Sequence, residues 1–342
     1  MHCKPLFRNL TAVPEPPSRL VNIFVSSTKT DLEHERRQLH EVLVPQLQRD
    51  WSSLGVDIQL VDVQNGADED AIIEPQAIAQ QLEEIEDCHK TSLGCFFLCL
   101  IGNKYRPFAL PASIDASEYN HIHNAANEAG LDASLLDNHF LLDTNLMPPR
   151  YVLQAPNRPA GSDLDNKEPS NKIHQESEES NWPEEEDKLV RIIQYGARIA
   201  IQEGLIEAED LSQSYLFSGV HTHLRHALKL SKNDNNRIIC IVRQFEGIDS
   251  ADSAAHLYID SATDTNLVLD NLSVEDDSSS GLRRLLEDVI LNVDRKNVAY
   301  FRVPWCKSGL DPEFPEHSKY LKSFSEVVSS MLKNIIEAAT KN

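Results

Sequence analysis

Residues 19–35 read RLVNIFVSSTKTDLEHE, and this stretch decides the fold. Its first half, up to Val25, is a short apolar run rich in β-branched residues, which favours a buried strand over a helix. The residues Ser26–Thr28, called the Ser/Thr turn below, follow that run. The spacing of Thr30 and Glu33 predicts a capping box at a helix start. Parallel α/β sheets usually begin with a strand, a polar turn and a helix, and they bind ligands at the carboxyl ends of strands.

The rest of the chain continues this alternation. A helix is expected over 31–53, where Pro45 should bend it or cost a backbone hydrogen bond. The run Leu93–Ile101 is the most hydrophobic in the chain and predicts a central strand buried on both faces. The order of elements predicts an α/β fold with a mainly parallel sheet and right-handed crossovers. The other predicted elements are strands over 56–63, 237–245 and 297–305, and helices over 74–90, 116–138, 181–203, 218–230, 281–293 and 317–341.

Composition limits the function. The 342 residues carry a net charge of −22, which argues against nucleic acid or an anionic membrane as a partner, because phosphate binding needs a basic face. None of the six cysteines forms a C-x-x-C pair, and several lie in apolar runs. Reduced, buried cysteines are therefore expected, as is typical of the cytosol. With no apolar signal region and no apolar stretch of spanning length, the sequence predicts a soluble cytoplasmic protein.

Composition also suggests three regions. Residues 1–18 are rich in proline and are expected to form a flexible N-terminus. Residues 19–310 are expected to form one α/β domain, interrupted at about 155–180 by an acidic, Pro- and Ser-rich insertion that should be mobile or disordered. Residues 311–342 should form a C-terminal helix that leaves the globular body.

The ends of the first two predicted strands carry the candidate site. Hydroxyl and backbone N–H groups of the Ser/Thr turn could bind a ribose or phosphate at a helix N-terminus, although a helix-capping turn is the favoured interpretation. Asp62 could hold a ribose hydroxyl or cap its loop, and capping is again favoured. The candidate ligand-binding residues are Ser26, Ser27, Thr28, Asp31, Asp62 and Gly66.

One short segment carries three histidines that could be metal ligands: His221, His223 and His226. A polar helix face is favoured instead, because a zinc site needs three or four convergent ligands and nearby acids are not placed to complete one. The chain also lacks a G-x-S-x-G elbow and a G-x-x-x-x-G-K-[ST] loop. No catalytic or metal-ligating residue is therefore assigned.

Four separated segments carry a resemblance. FVSSTKTDLEHERRQLHEVLVPQL at 24–47, LLDTNLMPPRYVLQ at 141–154, RIICIVRQFEGI at 237–248 and HSKYLKSFSEVVSSMLKNIIEAA at 317–339 resemble, in this order, segments of the N-terminal TIR-like region of NACHT and WD repeat domain-containing proteins. In the first segment the matching residues are Ser26, Ser27, Thr28, Asp31, Glu35, Arg36 and Pro45. In the second they are Asp143, Asn145, Pro148, Pro149, Tyr151, Val152 and Leu153.

The resemblance implies a TIR-like or flavodoxin-like three-layer sandwich whose C-terminal helix leads into a NACHT module. Two departures stand out. The family's D-[LM]-R-W-G at the end of strand two is Asp62–Gly66, DVQNG, here. The family's S-V-T-E-x-E segment, similar in place to the glutamate that TIR NAD-cleaving enzymes need, is Ser218–His223, SGVHTH, here. Histidines therefore stand where the resemblance implies acids.

Two functions follow as expectations. The first is an intracellular signalling or scaffold module without a cofactor, which binds protein partners and self-associates. The second is a TIR-type NAD glycohydrolase or another nucleotide-processing enzyme, with NAD as its ligand. This alternative needs a glutamate from elsewhere in the chain, such as Glu118 or Glu128. The departures from the family pattern and the missing phosphate loop favour the first function.

Overall fold

The computed structural model describes residues 19–64, 75–105, 110–154, 182–206, 215–232, 237–260 and 277–340. The chain divides into two compact units, whereas the sequence predicts one domain over 19–310. The first unit takes residues up to 70, 81–106 and 223 onward, and the second takes 71–80 and 107–222. The predicted flexible N-terminus, Gly66 and the acidic insertion at 155–180 lie outside the described residues.

The elements follow the sequence pattern closely. In chain order they are β1 (Arg19–Ser26), α1 (Glu33–Gln38), α2 (Val44–Trp51), β2 (Val56–Val61), α3 (Pro75–Thr91), β3 (Phe97–Ile101), β4 (Ser113–Asp115), α4 (Ala116–Glu128), α5 (Ser134–His139), β5 (Phe140–Asp143), β6 (Arg150–Leu153), α6 (Trp182–Gln202), α7 (Gly219–Leu230), β7 (Ile238–Glu246), α8 (Ala255–Tyr258), α9 (Asp277–Asn292), β8 (Val298–Pro304) and α10 (Pro315–Thr340).

The first unit is built on a parallel sheet in the order β2–β1–β3–β7–β8. Numbered among themselves, the five strands have the order 2-1-3-4-5 of flavodoxin-like doubly wound folds. The α/β class and the mainly parallel sheet are thus confirmed. All five residues of the central strand β3 are buried, as its continuous apolar sequence predicts. The TIR-like label stays a prediction.

Helices cover both faces of this sheet. Because side chains alternate along a strand, Val21, Ile23 and Val25 of β1 point to one face, where they join a core with residues of α2 and α10. Phe24 points to the other face, where its ring meets the ring of His223 of α7 edge to face at 5.4 Å. Two covered faces make the three layers of an α/β sandwich.

The predicted helix over 31–53 is one helical region with a defect. A π-helical turn, Leu39–Leu43, separates α1 from α2 and lies just before Pro45. The proline ring would clash with the carbonyl of Glu41 in a regular helix, and the wider turn gives it room. The predicted capping box is wrong: Leu32 takes the N-cap position without a side-chain hydrogen bond, and Thr30 Oγ1 donates to the carbonyl of Leu257 instead.

The last helix, α10, is part of the core. Its buried residues include Leu321, Phe324, Val328 and Leu332, which pack in the same cluster as the β1 side chains. The expectation that this helix leaves the globular body is therefore wrong. Its apolar residues recur every three or four positions, so one face of the helix is buried along its length. That a NACHT module follows the helix stays a prediction.

The second unit has its own core. Its sheet is antiparallel in the order β4–β6–β5, and α4 and α6 supply most of the buried apolar residues. The pair Pro148–Pro149, predicted to break regular structure, lies in the turn between β5 and β6. The rings of Tyr119 and Tyr151 stack at 3.6 Å and join α4 to that hairpin.

If α10 is a core helix, then Phe324→Ala should destabilise the protein by about 3–5 kcal/mol, because it removes a fully buried aromatic ring. The matched control is Lys319→Ala on the exposed side of the same helix, which should change the free energy of unfolding by less than about 0.5 kcal/mol. Urea unfolding of both variants measures the difference. Equal, small effects would mean that α10 does not dock in solution.

Candidate functional site

The Ser/Thr turn lies at the carboxyl end of β1, beside the central strand, where ligands bind in open α/β sheets. It is nevertheless closed to solvent. Ser26, Ser27, Thr28 and Asp31 have relative exposures of 1, 5, 6 and 1%. Groups this deeply buried cannot receive a ligand from solution without a rearrangement. Their hydrogen bonds therefore show what they do in this state.

Arg36 of α1 holds the Ser/Thr turn in place. Its Nη1 donates to Ser27 Oγ at 3.2 Å and to the carbonyl oxygen of Thr28 at 2.7 Å, and its Nη2 donates to the carbonyl oxygen of Lys29 at 2.7 Å. One guanidinium thus donates hydrogen bonds to one hydroxyl oxygen and two carbonyl oxygens. The backbone of the turn is therefore held in place by a cation of the chain itself.

Asp62, at the end of β2, is part of the same arrangement. Its Oδ2 lies 3.6 Å from Arg36 Nε and 3.0 Å from His40 Nε2, and its Oδ1 accepts a hydrogen bond from the backbone N–H of Gln64 at 3.0 Å. The loop-capping interpretation is therefore confirmed. The carboxylate that could have held a ribose hydroxyl is committed to an ion pair and a turn.

Arg243 of β7 is the second buried cation. Its Nε lies 3.3 Å from Glu35 Oε1 and its Nη2 lies 3.6 Å from Asp31 Oδ2, while Nη1 donates to Asn103 Oδ1 at 3.3 Å. The guanidinium also lies over the Phe245 ring, 4.2 Å from its centroid. We call Asp31, Glu35, Arg36, Asp62 and Arg243 the buried ion network.

Further contacts close the network. Tyr320 of α10 donates its hydroxyl to Glu35 Oε1 at 2.9 Å, and Thr28 Oγ1 donates to Asp31 Oδ1. After β3, Gly102 passes so near that a Cβ there would lie 2.0 Å from Asp31 Oδ2. Only glycine fits at that close approach.

The network has more carboxylates than cations. Three acids face two arginines, and Asp31 Oδ2 and Glu35 Oε2 are buried without a hydrogen-bond partner among the described residues. Burial disfavours the charged form and raises the pKa of Asp31 from 3.8 to about 6, although Arg243 and the Thr28 hydroxyl act in the opposite direction. Asp31 is consequently expected to gain a proton on mild acidification.

His223 completes the neighbourhood of the turn. Its Nδ1 lies 3.1 Å from Ser26 Oγ, at hydrogen-bond distance, and its Nε2 has no hydrogen-bond partner in the described part of the chain. Burial lowers the pKa of His223 from 6.5 to about 3, so the ring is neutral at neutral pH. A neutral imidazole therefore stands against the end of β1, where the family resemblance implies an acid.

His221 and His226 do not gather around His223, and each has other neighbours. His221 packs against the ring of Phe217 at 4.1 Å, and His226 Nε2 lies 3.4 Å from Glu86 Oε1. The expected polar helix face is wrong for His221 and His223, whose exposures are 0 and 5%. Among the residues the structure describes, no three His, Cys, Asp or Glu side chains gather as a metal site would require.

Glu118 and Glu128, which could supply the carboxylate that NAD cleavage needs, belong to the second unit. Glu118 Oε2 accepts a hydrogen bond from the Tyr215 hydroxyl at 3.0 Å, and Glu128 is exposed at the end of α4. In the described part of the chain, Asp31, Glu35 and Asp62 are the carboxylates placed beside the Ser/Thr turn, and all three are buried in ion pairs. The arrangement of these three carboxylates and the two arginines can hold strand ends and helices together.

Sequence reasoning missed Arg243 and Tyr320, although one signal was available. Arg243 interrupts the apolar run RIICIVRQF, and a charge inside a buried strand must be paired. The acids nearest in the sequence do not supply its partners. The partners are Glu35 of α1 and Asp31 just before that helix, more than two hundred positions away, and only the fold brings them together.

Comparison with known proteins agrees with the resemblance at a coarse level. The chain is 27% identical over 345 residues to NACHT and WD repeat domain-containing protein 2 of Mus musculus, covering 97% of this chain and 19% of that protein. It is 29% identical over 246 residues to the Homo sapiens protein of the same name, and 27% identical over 247 residues to Homo sapiens NACHT domain- and WD repeat-containing protein 1. These two alignments cover 70 and 72% of this chain and 14% of each relative.

The chain is thus similar to part of these proteins and spans less than one fifth of their length. No protein-family model matches it, and no solved structure gives a significant match. The TIR-like region is a finer statement that these similarities do not test.

Removing Arg243 should destabilise the protein strongly. Arg243→Met leaves Asp31 and Glu35 buried without their cation, which should cost about 3–5 kcal/mol in the free energy of unfolding. Arg302→Met on the neighbouring strand β8 is the control. That arginine is 78% exposed in its pair with Glu246, so its loss should cost less than about 1 kcal/mol. Denaturant unfolding of both variants would contradict the network's role if the two losses were similar.

Asp31 should make stability depend on pH with a definite sign. Its pKa is about 6 when folded and 3.8 as an ordinary aspartate, so the folded state binds more protons between these values and stability falls as pH rises through that window. Asp31→Asn cannot lose a proton. Its stability relative to wild type should therefore increase by about 2–3 kcal/mol between pH 4 and pH 7. Thermal unfolding across this range measures the two curves, and parallel curves would contradict the prediction.

Proposed function

We propose that this chain is an intracellular signalling or scaffold module that acts through protein–protein interaction, as the N-terminal part of a protein of the NACHT and WD repeat type. The observation that carries the proposal is the buried ion network at the carboxyl ends of β1, β2 and β7. Where a nucleotide-processing enzyme needs an open cleft with a reactive carboxylate, this chain has arginines bound to its own acids and carbonyls.

Three further observations support the proposal. The curated relatives carry NACHT and WD repeat modules in their names, and both names describe multi-module proteins of which this chain matches a small part. His223 is neutral and buried against Ser26, so it cannot act as the carboxylate that NAD cleavage of the TIR type would use. The net charge of −22 fits a surface that binds proteins better than one that binds phosphates.

A cytoplasmic location is part of the same proposal. Cys88, Cys95, Cys99 and Cys240 are buried free thiols, and such thiols are typical of a reducing compartment. In the described part of the chain, no helix has both the length and the apolar character that crossing a membrane requires.

The alternative, NAD cleavage, gives a direct test. The purified protein is incubated with NAD, and nicotinamide and ADP-ribose are measured by chromatography. We expect no product above the protein-free control, because the residues beside the Ser/Thr turn are buried and ion-paired. His223→Glu, which puts a carboxylate at the place implied by the family pattern, serves as a comparison variant.

Turnover by the wild-type protein that a single change such as Glu118→Ala or Glu128→Ala abolishes would overturn the scaffold proposal. Turnover gained only by His223→Glu would support it, because the missing acid would then be the reason for inactivity.

A further inference from the structure

A cleft of about 780 Å³ runs along the exposed side of α10 in the first unit. The helical region that includes Val42 forms its other wall. Val42 is 44% exposed, so an apolar contact is available inside a mostly polar cleft. A concave surface of this size beside a helix suits another helix, which would lie along it.

The residues of α10 in the cleft have a symmetric charge pattern. The charged ones are Lys322, Glu326, Lys333 and Glu337, and Ser329 and Ser330 lie midway between them. When the helix is reversed about the point between the two serines, Lys322 falls on Glu337 and Glu326 falls on Lys333. Every charged side chain in the α10 wall is thereby matched with the opposite charge.

We propose that the partner in this cleft is a second copy of the same chain, with the two α10 helices antiparallel across a two-fold axis at Ser329–Ser330. A two-fold contact uses the same surface on both subunits, so that surface must complement itself. In this arrangement Lys322 of each copy meets the other copy's Glu337, and Glu326 meets the other copy's Lys333. The complementarity is therefore a property of α10 itself.

The side chains at the axis allow a close approach. Serine is small, and two helices packed through small residues can reach the short end of the usual 8–10 Å interaxial distance. Ser329 is half-buried and Ser330 is exposed, so the axis position is accessible. Lys333 Nζ lies 2.8 Å from Asp50 Oδ2 within its own chain, but both groups are partly exposed and such pairs contribute little, so the lysine can be shared with the second copy.

This inference rests on the proposed function, because it names one partner of the interaction module. A contact formed by one helix and one cleft wall is small, so a weak and reversible dimer is expected. Each copy also carries a charge of −22, so salt dependence alone cannot distinguish local pairing from overall repulsion. A charge swap can.

The experiment is sedimentation equilibrium of the full chain at 150 mM salt, with wild type, Lys322→Glu, Glu337→Lys and the double variant. Each single change places two like-charged pairs in the dimer and should weaken dimerisation by about tenfold or more. The two single changes shift the net charge in opposite directions, so overall repulsion cannot explain a common loss. The double variant restores opposite charges and should return the dissociation constant to within about threefold of wild type.

Lys319→Glu is the matched control, because it makes the same change in net charge as Lys322→Glu on an exposed residue of α10 that does not line the cleft. It should leave dimerisation within about threefold of wild type. Circular dichroism verifies that each variant is folded.

A wild-type chain that stays monomeric to several hundred micromolar would overturn the inference, as would a dimer indifferent to Lys322→Glu or a double variant that fails to recover. None of these outcomes decides the proposed function, which the NAD assay tests separately.

Discussion

The first unit depends on the position of one guanidinium. Arg243 lies inside the parallel sheet, and its charge is tolerable there only because Glu35 and Asp31 reach it from the first helical region. Tyr320 of α10 donates a hydrogen bond to Glu35, and so α10 is connected to the same network. A strand, a helix and the last helix of the unit are thus joined by one buried polar network, and an error in any of them leaves a charge unpaired.

The same constraint explains why the carboxyl ends of the strands look unlike a nucleotide site. In open α/β sheets that position is useful because backbone N–H groups and helix N-termini there are left without partners. Here Arg36 donates a hydrogen bond to the carbonyl oxygen of Thr28 and forms an ion pair with Asp62. The ring of His223 lies at hydrogen-bond distance from the Ser26 hydroxyl. At this position the chain's own side chains are buried and paired with one another.

Much of this fold could be predicted from the sequence, because local pattern and tertiary structure agree. The apolar run ending at Ile101 predicts a central strand, and the leucine spacing after Asp31 predicts a helix with one buried face. The prediction failed where long-range contacts override local sequence preference. Thr30 has the spacing of a capping residue, yet its hydroxyl donates a hydrogen bond to the carbonyl of Leu257. The sequence of α10 suggested a linker helix, yet this helix packs in the core. The candidate ligand-binding site at the ends of β1 and β2 stays a prediction. The pairing of Arg243 with Asp31 and Glu35 could not be predicted, since these residues lie more than two hundred positions apart in the sequence.

The central claim is that the chain's own ion network occupies the edge of the sheet where a nucleotide would bind. Isothermal titration calorimetry with NAD and with ADP-ribose tests it most directly, with the purified chain at neutral pH and ligand up to several millimolar. We expect no saturable heat for either ligand, because the candidate residues are buried and already form hydrogen bonds within the chain. These residues are Ser26, Ser27, Thr28 and Asp62. Saturable binding that Ser27→Ala or Thr28→Val abolishes, with the fold intact by circular dichroism, would contradict it.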